Sequence, residues 1–258
     1  MNFKIIFLGV FFLLFSSNLV LGQGEIDTSS NILITDDEHS GAIFINTNGW
    51  GLNYLRARRV DGFRRNTFEI TWNTLKHPKE FKSPPIDPNA GRYVYGKLNS
   101  VFVLKSGVGR QREIFSKFDK GSLSIKFSYQ LGAALAFLKP VYFEIDSSNV
   151  PLYKKFDRQI ADKIIGSGPY LKGFGEIKIN PGAYLRSAFT FDYSKNTRMI
   201  YAMEVGFSID AYLKEIEIMS TKSNPQFFIT LNLAFRFGVI SENIKKTLKE
   251  NQELEDKL

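Results

Sequence analysis

Residues that could support catalysis or bind a metal are scarce in this sequence. His39 and His77 are its only histidines, and it has no cysteine. Neither histidine has an identifiable serine and carboxylate pair, and no Gly-x-Ser-x-Gly motif or glycine-rich phosphate loop occurs. Asp36, Asp37 and His39 could be considered as metal ligands, although so acidic a run is more typical of a solvated segment. We therefore expect no enzymatic activity, no cofactor and no metal.

A different set of charged residues alternates with apolar residues at every second position. In a strand whose apolar side chains face lipid, such charges face an enclosed interior and are expected to pair. We prefer the pairing of Glu204 with Arg186 or Arg236, and a charge network that plugs the interior rather than a narrow gated pore. The predicted lumen charge network comprises Glu69, Lys97, Lys105, Lys126, Arg186, Glu204 and Arg236.

The densest basic cluster lies near a predicted turn. Arginine side chains offer a planar fork of donors that suits phosphate, so lipopolysaccharide or an acidic partner is a conceivable ligand. The alternative is an ordinary solvated turn at a membrane edge. This anionic-partner patch comprises Arg56, Arg58, Arg59, Arg64 and Arg65.

Strands must position these residues, because the pattern repeats every two residues. Residues 123–138 alternate for longer than a typical soluble strand, and residues 226–237 repeat the pattern. Such segments predict an all-β fold, an antiparallel transmembrane β-barrel whose apolar side faces lipid. In residues 123–138 the apolar positions are Leu123, Ile125, Phe127, Tyr129, Leu131, Ala133, Leu135 and Phe137.

The two ends of the chain have their own compositions. Residues 1–22 predict a secretory signal peptide, with Lys4 before an apolar run and Val20-Leu21-Gly22 at its end. We expect a flexible acidic leader at 23–40, the barrel at 41–238 and a charged helical tail at 239–258. The formal net charge is +8. A basic exported protein seldom meets nucleic acid, so anionic membrane headgroups are the expected counter-surface.

The number of strands depends on how residues 41–59 are divided. Asn48-Gly49 is a strong hairpin signal, and a division there gives eight strands, an even number typical of single-chain bacterial barrels. Without it there are seven, and an eighth would come from 141–145 or 175–179. The favoured division places the turns at 60–62, 112–122 and 194–196 on the periplasmic side with both termini. The longer loops at 76–92, 139–172 and 212–225 then lie outside.

On this pattern the chain resembles small outer-membrane β-barrel proteins, such as those common in the Bacteroidota. The resemblance covers about residues 41–238 and includes an aromatic-ended last strand, Leu233-Ala234-Phe235-Arg236-Phe237. It implies residence in the cell outer membrane among its lipids. We expect a non-enzymatic anchor or subunit of an envelope assembly, with protein partners held by the loops and tail. The alternatives are a small outer-membrane channel and a soluble exported lipocalin-like carrier.

Overall fold

Eight antiparallel strands close into a barrel in a computed structural model that describes residues 36–84, 91–116, 123–146, 152–194, 198–221 and 224–242. Each strand pairs with its neighbour in the chain, and the first barrel strand pairs with the last. The predicted fold class is therefore confirmed. The barrel strands are β1 (Asp36–Asn46), β2 (Gly49–Arg59), β3 (Arg64–Leu75), β6 (Asn99–Phe115), β7 (Ser124–Pro140), β11 (Lys178–Asp192), β12 (Met199–Tyr212) and β13 (Phe227–Glu242).

The two-residue period of the sequence places alternate side chains on the two faces of the barrel wall. On β12, Met203 and Val205 are exposed on the outside while Glu204 between them is buried. Closure leaves no unpaired edge, so each barrel strand has a hydrogen-bonded neighbour on both sides. The predicted orientation of the alternating faces is confirmed.

The predicted division at Asn48-Gly49 is also confirmed. The backbone N–H of Asn48 donates to the Asn46 side chain at 3.0 Å, a local bond that favours a turn. The connections from β2 to β3, from β6 to β7 and from β11 to β12 are short in sequence and lie at the barrel end where β1 begins and β13 ends, which we call the turn end. The longer connections 76–98, 141–177 and 213–226 lie at the opposite end, the loop end.

Both predicted boundaries of the barrel are wrong by several residues. Residues 36–40, predicted to belong to the leader, are strand, because they pair with β2 on one side and β13 on the other. Residues 239–242, predicted to belong to the tail, continue β13 by pairing with β1. The predicted signal peptide, the rest of the leader and residues 243–258 of the predicted helical tail lie outside the described residues.

The connection 141–177, predicted as a surface loop, forms a small sheet at the loop end. The sheet consists of β8 (Tyr142–Ile145), β9 (Leu152–Lys155) and β10 (Ile164–Ser167), in the order β10-β8-β9. A 3-10 helix, Arg158–Lys163, follows β9 and has Asp157 as its N-cap. Another 3-10 helix spans Phe174–Glu176, and β4 (Lys82–Ser83) pairs with β5 (Tyr93–Val94). Within the described residues every helix is too short or too polar to cross a membrane.

Two glycines shape the middle of the lumen. Across β3, β6, β7 and β11 one row of paired residues reads Glu69, Gly107, Gly132 and Tyr184. Because neither glycine has a side chain, the Tyr184 side chain can extend across β7 and β6. Its hydroxyl thereby donates to Glu69 Oε1 at 2.8 Å.

Replacing Gly107 with alanine should disrupt this row. A Cβ there would lie 2.5 Å from the Tyr184 hydroxyl and 2.7 Å from the Leu131 carbonyl oxygen. We expect Gly107→Ala to destabilise the barrel by about 2 kcal/mol, the usual cost of overpacking, in urea unfolding from lipid vesicles. Gly62→Ala is the matched control, because a Cβ there meets nothing within 4 Å. Equal unfolding midpoints for the two variants would contradict this account of the row.

Candidate functional site in the barrel interior

An alternating series of two carboxylates and two guanidinium groups crosses the centre of the lumen. Arg186 Nη1 donates to Glu69 Oε2 at 2.8 Å, and Arg186 Nη2 donates to Glu204 Oε1. Arg236 then donates to Glu204 Oε2 from Nε at 3.0 Å and from Nη2 at 2.9 Å. The predicted pairing of Glu204 is thus observed with both of its proposed partners. These four residues are called the central network.

Neutral side chains satisfy the remaining donors and acceptors of the central network. Arg236 also donates to Ser40 Oγ at 3.1 Å and to Asn53 Oδ1 at 2.8 Å. Asn53 in turn donates to Glu69 Oε2 at 3.2 Å. A buried charge is stable only when it is paired and fully hydrogen-bonded, so this saturation explains how the charges persist without water.

Further ion pairs lie on either side of the central network. Towards the turn end, Glu38 accepts from Arg65 at 2.5 Å and from Lys126 at 3.4 Å, and Lys126 is 3.7 Å from Asp192. Towards the loop end, Lys105 Nζ donates to both carboxylate oxygens of Asp210 at 2.7 Å. The charges balance in each group. Together with the central network, they connect seven of the eight barrel strands across the lumen: β1, β3, β6, β7, β11, β12 and β13.

Six of the seven residues predicted for the lumen network lie in it, and Lys97 does not. Lys97 precedes β6 in the connection 76–98, where it pairs with Glu80 at 2.7 Å. Sequence reasoning missed Glu38 because the leader was ended too late. It missed Arg65 because that residue was read as part of a turn. Asp192 and Asp210 lie at inward-facing positions of their strands, and the two-residue alternation was the signal that could have identified them.

The loop end of the lumen is closed by an apolar layer. Residues 213–221 fold into the barrel mouth, where Ile216 and Ile218 are completely buried. They belong to one cluster with Val101 and Val103, which are inward-facing apolar residues of β6. Leu98 N–H donates to the Ile218 carbonyl at 2.9 Å, which fixes the inserted segment to the barrel rim.

Cavity volumes show where the lumen is filled. The space beside Glu69, Lys105 and Arg186 has a volume of only about 10 Å³, roughly the minimum for one water molecule. A cavity of about 310 Å³, lined by residues that include Arg65 and Lys126, opens at the turn end. In the described residues the lumen is therefore open towards the turns, and is closed by the central network and then by the apolar layer.

The barrel wall divides the predicted anionic-partner patch between two surfaces. Arg59 and Arg65 line the cavity at the turn end, and Arg65 is buried against Glu38. Arg56, Arg58 and Arg64 are exposed on the outside of the wall. The division follows from the two-residue period, since Arg64 and Arg65 are neighbours in sequence and must point to opposite faces.

The two histidines make local contacts. His39 Nδ1 lies 2.8 Å from the Tyr54 hydroxyl, and His77 Nδ1 accepts from the Lys79 backbone at 3.1 Å. Among the residues that the structure describes, no three acidic or histidine side chains are grouped so that they could hold a metal ion. The charged groups of the central network and of the ion pairs on either side of it bond to one another, so this arrangement holds strands together.

A closed antiparallel barrel of eight strands with an apolar outside and paired charges inside has the fold of small outer-membrane β-barrels. No protein-family model and no curated protein sequence matches the chain. Among solved structures, Neisserial surface protein A (NspA) is 9% identical, with 79% of this chain and 95% of that chain covered and a TM-score of 0.39. Ail, the attachment invasion locus protein of Yersinia pestis, in complex with the heparin analogue sucrose octasulfate, is 7% identical. That match covers 81% of this chain and 100% of Ail with a TM-score of 0.41.

Removing one charge from the central network should be costly. Glu204→Gln leaves Arg186 and Arg236 buried without their shared carboxylate, so we expect a loss of about 3 kcal/mol in the free energy of unfolding. The measurement is urea unfolding in lipid vesicles. Glu215→Gln, at an exposed carboxylate of the connection 213–226, should leave the midpoint unchanged. If the two variants unfold alike, the central network does not stabilise the barrel.

Proposed function

We propose that this chain is a non-enzymatic barrel of the outer membrane that acts as an anchor or subunit of an envelope assembly. The observation that carries the proposal is the double closure of the lumen by the central network and the apolar layer. A filled interior offers no path for solute, so the surfaces available for function are the outer wall and the loop end.

The outer wall supports placement in a membrane. Large apolar side chains are exposed around the barrel, among them Leu131 at 61% and Ile229 at 71% of their full accessibility. So continuous an apolar exterior would be unfavourable in water and is typical of a lipid-facing belt. A soluble lipocalin-like carrier would need its apolar residues inside, whereas the centre of this lumen contains ion pairs.

The structure at the loop end supports a role in presenting a fixed surface to a partner. Phe143 of β8 is fully buried and packs edge-on against Tyr93 and Phe156, with ring centroids 6.1 and 6.0 Å apart. Outside this small core, Tyr142 and Lys155 both bond to Glu176, and bonds from Lys155 and Tyr142 lower the pKa of Glu176 below its ordinary value. The connection 141–177 thus has packed and ionic contacts of its own.

An exposed apolar segment beside this core is a candidate contact surface. Tyr170, Leu171 and Phe174 are exposed at 62%, 78% and 47%. Lys139 Nζ lies 3.7 Å from the Tyr170 ring centroid and 4.7 Å from that of Phe174, which holds the segment against the barrel wall. Exposed apolar groups in a fixed position are suitable for binding an envelope partner.

Planar-bilayer recordings should distinguish this proposal from a small channel. We expect the purified wild-type barrel to give no unitary conductance, because ions would have to cross the central network and the apolar layer. Deleting residues 215–220 would test the second layer separately, since the central network would remain. Reproducible current steps from the wild-type protein would identify a channel and contradict the anchor proposal.

Site-specific crosslinking in native membranes should locate a partner. A photo-crosslinking residue at Leu171 is expected to capture one discrete protein that also co-purifies in mild detergent. The matched control is Val60, which is similarly apolar and exposed but lies at the turn end. A chain that purifies alone and gives no protein adduct from Leu171 would contradict a partner at the loop end.

A further inference from the structure

The apolar belt of the outer wall is not equally tall around the barrel. On β12 the outward residues are apolar from Met199 to Ile209, a stretch of about 34 Å along the strand. On β2 they are apolar only from Trp50 to Tyr54, a stretch of about 14 Å. A bilayer needs an apolar band of about 25 Å, which β2 cannot supply.

Arginine side chains occupy outward positions on the turn-end half of the wall where apolar residues would complete the belt. On the turn-end half of β2, β3 and β6, five exposed outward residues are arginine, and strand pairing makes them one surface. The neutral Asn66 lies among them, and the apolar Ile114 lies beyond Arg112. Arg64 pairs with Arg112, and Asn66 pairs with Arg58 on one side and Arg110 on the other. This arginine face comprises Arg56, Arg58, Arg64, Arg110 and Arg112.

Few carboxylates balance the arginine face. Asp37 accepts from Arg56 at 2.8 Å and from Arg58 at 3.3 Å, and Asp61 lies 3.8 Å from Arg64. Among the described residues these two carboxylates are the salt-bridge partners found for the five guanidinium groups. The arginine face therefore keeps a net positive charge. On each of its strands it lies on the turn-end side of the lipid-facing side chains.

We propose that the arginine face binds anionic phospholipid headgroups of the leaflet at the turn end and draws them towards the barrel's middle. Guanidinium groups bind phosphate through paired hydrogen bonds, while their aliphatic stems remain in the apolar layer. Headgroups at this depth make the apolar layer of the membrane thinner beside β2 and β3, so that it matches the short apolar stretch on those strands. The inference rests on the membrane placement proposed above. In the orientation with the long loops outside, the ligand is a periplasmic-leaflet phospholipid rather than lipopolysaccharide.

A tryptophan beside the arginine face can report lipid binding there. Trp50 and Trp72 are the only tryptophans of the sequence, but both lie towards the loop end of β2 and β3. The reporter chain therefore carries Trp50→Phe, Trp72→Phe and Phe68→Trp, because Phe68 is exposed and pairs with Arg56. Acyl-chain bromine quenches tryptophan in contact with it. The barrel should be reconstituted in vesicles in which brominated phosphatidylglycerol or brominated phosphatidylcholine replaces increasing fractions of unlabelled phosphatidylcholine. We expect the phosphatidylglycerol to be preferred at the quenched site by about fivefold at low salt.

The test variant is Arg64→Gln with Arg110→Gln and Arg112→Gln, which should reduce the preference to about one. Lys79→Gln with Lys82→Gln and Arg92→Gln removes the same charge at exposed positions of the loop end, and should keep the preference. Heat-modifiable gel migration confirms that each variant is folded.

Equal quenching of the Phe68→Trp reporter chain by the two brominated lipids would overturn the headgroup proposal alone. Loss of the preference in the loop-end variant would also overturn it, because the arginine face would then not be its source. Absence of quenching by either lipid would overturn the membrane placement as well. The two proposals therefore fail in distinguishable ways.

Discussion

Arg236 links the two ends of the barrel sheet through its side chain. It lies on the last strand, and its guanidinium group bonds to Glu204 on β12, Ser40 on β1 and Asn53 on β2. The first and last strands of the chain are thereby joined in the lumen as well as by their backbone ladder. Because Arg236 is almost completely buried, each of these bonds operates without competition from water.

This constraint has a consequence for the rest of the interior. Once two arginines occupy the lumen, two carboxylates must accompany them, and the neutral side chains nearby are needed to satisfy what remains. The glycines at 107 and 132 make the space through which Tyr184 reaches Glu69. Charge, hydrogen bonding and backbone space at the centre of the lumen thus all contribute to holding the barrel strands together.

The functions proposed for this protein therefore belong to surfaces outside the lumen. The loop end has a packed aromatic core and a fixed apolar segment, whereas the turn end has an arginine face where lipid would otherwise be expected. A charged side chain on the lipid face costs about 2–4 kcal/mol at the bilayer midplane and far less near the headgroups. Five arginines on three neighbouring strands are therefore tolerable only where headgroups, or something equally polar, reach them.

The amino-acid sequence by itself determined the barrel, its eight strands, the side of each strand that faces outward and most of the lumen charges. It could do so because a residue's parity along a strand decides its face, and parity is a local property. Only the tertiary structure decided that β1 begins at Asp36, that Lys97 belongs to a loop, and that Ile216 and Ile218 fill the barrel mouth. Only the register of β3 with β6 brought Arg110 and Arg112 beside Arg64. Such contacts join residues far apart in sequence, and no local pattern contains the pairing that brings them together.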